Sequence, residues 1–313
     1  MCGIAGKAHW PSGPPVESMG ALLAHRGPDG QGVWRHETQP IELAHRRLAI
    51  IDPRPESDQP LVKDGYVIVF NGEIYNYRQL RSELVTTGVT FRTDSDTEVL
   101  LEAWRRWGHD ALQRLRGMFA FAIVEIASGH LWLARDHFGI KPLFVAQRGD
   151  GLAFASEQKA LLPLLDDITV DPRGVFASLL YYWIPEQFST IEGIQRLPAG
   201  CWAEKRPGRP LVHHRWFDPT VDLASDTPVG PEELREILEE SVRAHMIADV
   251  PVSAFLSGGL DSSLIAVLGR RHNPDLTAYT IGFRPEDRKL EAMPDDLRYA
   301  RMIAAEHDIE LNE

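Results

Sequence analysis

Two places in this chain combine residue types that do chemistry. The first is its beginning. Removal of Met1, expected before a small residue, leaves Cys2 with both a thiol and a free α-amino group. An α-amine titrates near neutrality, at about 8, and can take the proton of a neighbouring thiol directly or through a water. No separate histidine is needed. A terminal cysteine is also consistent with an accident of sequence, so its surroundings must decide. The second place is Leu256-Ser257-Gly258-Gly259-Leu260-Asp261-Ser262-Ser263. Such a Gly- and Ser-rich turn offers backbone N–H groups at a helix start, a natural cradle for phosphates. It lacks the Gly-Lys-Ser/Thr ending of a Walker A loop. The competing reading is an ordinary helix start capped by Asp261.

These residues need elements to hold them. Residues 1 to about 160 read as strand-rich with interspersed helices. Ile4–Trp10, Ile41–Ile51 and Val67–Asn71 have strand character. Met118–Ile126 with His130–Ala134, and Leu143–Gln147 with Leu152–Ala155, form hairpin-like pairs. The first of these strands is apolar on both faces, as in a covered sheet, so it is core. Thr97–Trp107 carries a helical stripe of Val99, Leu100, Ala103 and Trp107, with Gly108 as its stop. Pro and Gly punctuate residues 206–228, which read as a connection between domains. Beyond it, Pro231 opens an amphipathic helix. The strand Val252–Leu256, the glycine turn, a helix from about Asp261 to Arg271, the strand Ala278–Phe283 and the helical stretch Leu297–His307 follow. Alternating helix and strand around a Gly-rich turn opens a parallel α/β domain.

Composition sets bounds. A chain of 313 residues suggests two domains. Asp and Glu outnumber Lys and Arg, 45 to 33, for a net charge of -12, which argues against a broad nucleic-acid surface. The only two cysteines, Cys2 and Cys201, are far apart, so neither a disulfide framework nor a cysteine-rich metal site is expected. No apolar run is long enough to span a membrane, and the N-terminus lacks the pattern of a signal peptide. The cytoplasm is the expected location.

Several segments together resemble the class II glutamine amidotransferases, the N-terminal-nucleophile family. They are Met1-Cys2-Gly3-Ile4-Ala5-Gly6, His25-Arg26-Gly27-Pro28-Asp29-Gly30, Leu43 to Ile50, Phe70-Asn71-Gly72-Glu73-Ile74-Tyr75-Asn76, Ser95-Asp96-Thr97-Glu98, and Arg135 to Leu143. Their order and spacing look like the glutaminase half of bacterial asparagine synthetases. The resemblance covers nearly all of residues 1–205. It implies an α+β four-layer αββα N-terminal-nucleophile sandwich, with Cys2 attacking the glutamine side-chain amide. Arg47 matches the family's carboxylate-binding arginine, and Glu73 and Asp96 match the acids that hold the α-ammonium. Asn71 and Gly72 match the oxyanion hole. The chemistry agrees, since a guanidinium fork suits a carboxylate and an amide donor with a backbone N–H suits an oxyanion. Taken singly, Arg47 is equally a surface ion-pair residue and Asn71-Gly72 equally a hairpin turn. Arg26 and Asp29 read as loop-shaping residues near the pocket.

The second turn resembles the pyrophosphate loop of ATP pyrophosphatases, and His245 to Val252 before it look like the asparagine synthetase arrangement. That resemblance implies ATP as a substrate. Ser257, Gly258, Gly259 and Ser262 would hold pyrophosphate, Asp261 would hold Mg²⁺, and Leu256 and Ile281 would contact adenine. It implies no tightly bound organic cofactor. Ser253 stands where the family usually has Gly. Residues 229–313 supply two expected strands where such sheets have about five, so an incomplete α/β parallel-sheet ATP-pyrophosphatase domain is expected. The expected domains are therefore 1–205, the connection 206–228, and 229–313. Expected partners are glutamine, ATP and aspartate, without nucleic acid or membrane, and the reading admits a homodimer. Competing functions are an amidotransferase acting on another carboxylate, a glutaminase-only fragment, and a non-catalytic remnant that binds a partner.

Overall fold

The computed structural model describes residues 1–222, 228–282 and 296–313. It divides into two compact units, Met1–Ser225 and Asp226–Glu313. The first unit contains β1 (Gly3–Ala8), β2 (Gly30–Arg35), β3 (Ile41–Arg47), β4 (Leu61–Lys63), β5 (Tyr66–Ile74), β6 (Gly117–Glu125), β7 (His130–Arg135), β8 (Phe144–Arg148), β9 (Gly151–Ala155), β10 (Ile194–Arg196), β11 (Cys201–Lys205) and β12 (Val212–Arg215). Its helices are α1 (Val16–Ala21), α2 (Tyr77–Thr86), α3 (Asp96–Trp107), α4 (Pro172–Tyr181) and α5 (Pro219–Asp222).

The strands form two six-stranded sheets, ordered β10-β8-β9-β1-β3-β2 and β12-β11-β7-β6-β5-β4. Alternation along each strand sends one set of side chains inward. Ile4, Leu43 and Phe154 of the first sheet share a buried core with Val69, Ala122 and Leu133 of the second. The outer face of the first sheet, with Ala5, Ala44 and Ala153, packs on Val16 and Met19 of α1. On the second sheet Trp104 of α3 meets Phe121 edge to face at 5.5 Å. Helix, sheet, sheet, helix is the expected four-layer sandwich. Phe119 to Val124 are wholly buried because both faces of β6 are covered.

Several boundaries differ from expectation for local reasons. The first strand ends at Ala8, since His9 turns into the left-handed region at φ 54°. The expected strand Ile41–Ile51 stops at Arg47, and residues 48–51 become a loop whose backbone wraps the Arg47 guanidinium. Strand β5 extends to Ile74 because β6 pairs with it along its whole length. Asn71 and Gly72 lie inside that strand, so the hairpin-turn alternative fails. Val212–Arg215, expected within the inter-domain connection, instead pairs with β11 as the edge of the second sheet. Residues 223–227, near the end of the expected connection, and Phe283, the end of the expected strand Ala278–Phe283, lie outside the described residues.

The second unit holds α6 (Pro231–His245), β13 (Ser253–Phe255), α7 (Leu260–His272), β14 (Thr277–Tyr279), α8 (Asp296–Glu306) and β15 (Glu310–Asn312). The three strands are parallel, in the order β13-β14-β15. The third was not expected: Glu-Leu-Asn is too short and too polar to announce a strand.

Helix α3 carries site residues at its start and is anchored by a buried charge cluster. Lys63 Nζ lies 2.8 Å from Glu98 and 2.9 Å from Glu102, with all three side chains nearly inaccessible. Removing one member of such a cluster leaves uncompensated buried charge. Lys63→Met is expected to cost about 3–5 kcal/mol of stability in urea denaturation. A loss under about 1 kcal/mol would show that the backbone donors to Glu98 suffice without the lysine.

Candidate active site

Cys2 stands immediately before β1, whose first residue Gly3 pairs with Arg46 of β3. This places its Sγ beside the loop that leaves β3. The Leu48 N–H lies 3.4 Å from Sγ, and the thiol is 3.6 Å from the Leu48 carbonyl. Burial pushes the Cys2 thiol up, and the Leu48 contact offsets that only in part. The group is therefore a thiol at neutral pH and needs a base. Arg26 holds the backbone beside it: its Nε donates to the Cys2 carbonyl at 2.8 Å, and its Nη1 pairs with Glu157 at 2.9 Å. Met1 precedes Cys2 in the same pocket, and burial lowers the affinity of its α-amine for a proton.

The pocket is lined by Cys2, Arg47, Asn71, Gly72, Glu73 and Asp96, the six residues singled out in the first unit. Cys2 precedes β1, Arg47 ends β3, Asn71, Gly72 and Glu73 follow one another on β5, and Asp96 opens α3. Arg47 ends β3, and its Nη1 donates to the Arg54 carbonyl and pairs with Asp58 at 2.7 Å. Its Nη2 donates to the Asp52 carbonyl. The guanidinium is buried and fixed by the loop that follows its own strand. Asn71 is fully buried, and neither its Nδ2 nor its Oδ1 has a hydrogen-bond partner. An orphaned buried amide costs free energy, so its retention beside Cys2 points to a ligand that completes it. At Gly72 a Cβ would stand 2.2 Å from the Met118 carbonyl. Close approach, rather than an unusual dihedral angle, demands glycine there.

Asp96 opens α3. Ser95 caps that helix by accepting from the Glu98 N–H at 3.2 Å, the sequence pattern of a capping box. One Asp96 carboxylate oxygen accepts from the Ile74 N–H at 3.0 Å. Burial, with Glu73 nearby, pushes its carboxyl up to about 7. The folded state thus resists ionising Asp96. The stability it contributes is complete below an ordinary carboxyl pKa of about 4 and is lost as pH rises towards 7. Asp96→Asn is therefore expected to raise the melting temperature at pH 8 and leave it unchanged near pH 4. If the carboxylate receives an ammonium, the same variant should raise the glutamine KM about ten- to a hundredfold. An unchanged melting temperature at pH 8 and an unchanged KM would contradict both statements.

Lys141, Leu48 and Thr97 are among the pocket residues to which the sequence assigns no chemical role. Lys141 lay within a recognised segment, but nothing in its spacing linked it to Cys2.

In the second unit, Ser257–Gly259 turn into α7, whose first turn carries Asp261 and Ser262. Ser257 Oγ and Ser262 Oγ are 2.9 Å apart, and the Gly259 N–H reaches Ser257 Oγ at 3.4 Å. Gly258 has φ 84°, and a Cβ there would meet the Asp296 carbonyl at 2.5 Å. Asp261 lies exposed in the first turn of α7. Leu256 is fully buried against Ala266, Ala278 and Ile309, so its side chain is core and only its main chain is left to face a ligand. Ile281 is exposed beyond β14. Among the described residues no group of three or more His, Cys, Asp or Glu forms a metal cage, and no helix is long and apolar enough to cross a membrane.

Residues 1–217 match a family described as glutamine amidotransferase domain, and residues 233–313 match one described as asparagine synthase. A putative glutamine-hydrolysing asparagine synthetase of Mycobacterium bovis is 41% identical over 304 residues, which covers 91% of this chain and 46% of that protein. Glutamine-hydrolysing asparagine synthetase 1 of Bacillus subtilis is 38% identical over 279 residues, covering 87% of this chain and 43% of its own length. The chain thus spans about half the length of the curated relatives it matches. Among solved structures, an allosteric regulatory enzyme of purine biosynthesis is similar in fold, with TM-score 0.51 at 19% identity over 95% of this chain and 69% of that one. A Bacillus subtilis glutamine phosphoribosylpyrophosphate amidotransferase gives TM-score 0.50 at 20% identity over 95% and 70%.

Proposed function

The chain belongs to the glutamine amidotransferase domain family, matched over residues 1–217, and from that membership we propose that it releases ammonia from glutamine with Cys2 as nucleophile. The observation that carries this reading is the unpartnered Asn71 amide beside Gly72 in the pocket of Cys2. With Met1 removed, the α-amine of Cys2 takes the thiol proton as Sγ bonds to the amide carbon of glutamine. The carbonyl oxygen gains negative charge, and Asn71 Nδ2 and the Gly72 N–H donate to it. The α-amine then returns the proton to the leaving nitrogen. The C–N bond breaks, ammonia departs, and a γ-glutamyl thioester remains on Cys2. Water hydrolyses it to glutamate. Arg47 pairs with the α-carboxylate of glutamine, and Glu73 and Asp96 take its α-ammonium.

The second unit is proposed to bind ATP through Ser257, Gly258, Gly259 and Ser262, with adenine against the main chain of Leu256 and against Ile281. Asp261 fits a Mg²⁺ ion that arrives with the phosphates, since Mg²⁺ is commonly held by one or two carboxylates plus substrate oxygens. ATP supplies activation: in a protein of the relatives' full length, it would convert the aspartate carboxylate to an acyl-adenylate with release of pyrophosphate. Ammonia would then displace AMP to give asparagine. The names of the matched relatives support aspartate as acceptor.

The test is to incubate the purified 313-residue chain with glutamine, aspartate, ATP and Mg²⁺ and to measure glutamate, asparagine and pyrophosphate separately. Glutamate formation supports the first unit's role. Its absence, with Met1 shown by mass spectrometry to be removed, overturns it.

A further inference from the structure

The segment Arg135 to Leu143 is the one recognised motif that glutamine binding and attack leave without a task. Its hydrogen bonds form a rigid loop. Asp136 accepts from the Phe138 N–H at 3.2 Å and the Ile140 N–H at 2.9 Å with one oxygen, and from the Lys141 N–H at 3.0 Å with the other. That second oxygen also accepts from the Phe119 N–H at 3.0 Å, tying the loop to β6. Arg135 Nε donates to the Lys141 carbonyl at 2.8 Å. Gly139, at φ 65°, makes room for the Arg135 guanidinium, which a Cβ would approach to 2.7 Å. The backbone of Lys141 is thus clamped on both sides, and its side chain, only 5% exposed, lines the pocket of Cys2, Asn71, Gly72 and Glu73.

The other charges around Cys2 have tasks. Arg26 is held by Glu157 and the Cys2 carbonyl, and Arg47 by Asp58 and the loop carbonyls. Glu73 favours a protonated amine, and Asp96 does so only once its own raised carboxyl ionises. Asp136 is occupied by four N–H groups. Lys141 is the remaining cation facing the chain start. No hydrogen bond or ion pair among the described residues takes up its ammonium.

We propose that Lys141 is a positioning residue whose ammonium keeps the α-amino group of Cys2 in its neutral, proton-accepting form. This rests on the reading of Cys2 as an N-terminal nucleophile. A second positive charge beside a fixed one is disfavoured, so the amine gives up its proton at lower pH than it would in water. The direction agrees with the Met1 α-amine in the same pocket, whose proton affinity is lowered by burial first and by Lys141 among the nearby charges. In turn, Lys141 has its own proton affinity lowered by burial, while Glu73 and Cys2 hold it charged.

The experiment follows the rate at which a chloroketone analogue of glutamine alkylates Cys2 from pH 5 to 10, with the labelled residue identified by mass spectrometry. In the parent chain the acidic limb should fall below the value of about 8 of a free α-amine. In Lys141→Met it should move up by about one pH unit, which makes labelling near pH 7 about tenfold slower. Lys141→Arg should restore the parent limb. A limb left in place in Lys141→Met, however far the maximal rate falls, overturns the proposal. If that variant does not fold, a parent limb at 8 or above overturns it equally, and so does a limb moved by Lys141→Arg. If Cys2 of the parent is not labelled at any pH, the failure belongs to the nucleophile assignment and not to Lys141.

Discussion

Replacing Cys2 with alanine is expected to reduce glutamine hydrolysis by at least about four orders of magnitude while leaving the fold and glutamine affinity in place. The magnitude follows from the covalent route. Without Sγ there is no thioester, and the remaining groups only polarise an amide towards water. The fold survives because the Cys2 side chain contributes only two long contacts with Leu48, at 3.4 and 3.6 Å. Alanine also keeps the residue after Met1 small, so removal of Met1 is preserved. Hydrolysis should be measured with the variant saturated in glutamine, alongside calorimetric glutamine binding. An electrophilic analogue should modify the parent at Cys2 and spare Cys201, which lies in the inter-sheet core with its thiol pushed up by burial. Modification of Cys201 instead, or activity retained in the variant, would remove the N-terminal nucleophile from the mechanism.

Asn71→Ala has the second largest expected effect. Loss of one oxyanion donor costs roughly 10²- to 10³-fold in kcat. KM should change little, because the donor acts on charge that exists only in the transition state. Stability provides a second reading of the same variant. The Asn71 amide is buried without a partner, so deleting it removes an uncompensated polar group rather than a native hydrogen bond. Thermal stability should therefore stay level or rise even as kcat falls. A large rise in KM with kcat intact would place Asn71 on ground-state glutamine instead.

These two variants also separate what was legible in the chain from what was not. Cys2 was legible because its chemistry is local: one residue supplies both nucleophile and base, and position two in the chain is visible without any fold. Arg47, Asn71, Gly72, Glu73 and Asp96 were legible as residue types in a familiar order, and they do converge on one pocket. Strand boundaries were less so. The expected strand to Ile51 ends at Arg47 because a guanidinium collects the following carbonyls, and such a contact leaves no periodic mark in the sequence. Leu256 was matched to a ligand, yet its side chain belongs to a core completed by Ile309, more than fifty residues later.

What the sequence determined by itself was the inventory: a thiol at the chain start, a cation and acids of the right kind, and a glycine turn before a helix. The tertiary structure alone decided the state of those groups. Asp96 is an ordinary acid in the sequence; packing α3 against β5 buries it beside Glu73 and brings its carboxyl to about 7. Asn71 is an ordinary amide until the surrounding strands enclose it without a partner. Lys141 lies 139 positions from Cys2, and only the Asp136-centred loop brings it to the same pocket. The physical reason is common to all three. Residue type is carried by the chain, whereas desolvation and electric field are sums over neighbours that only folding brings together.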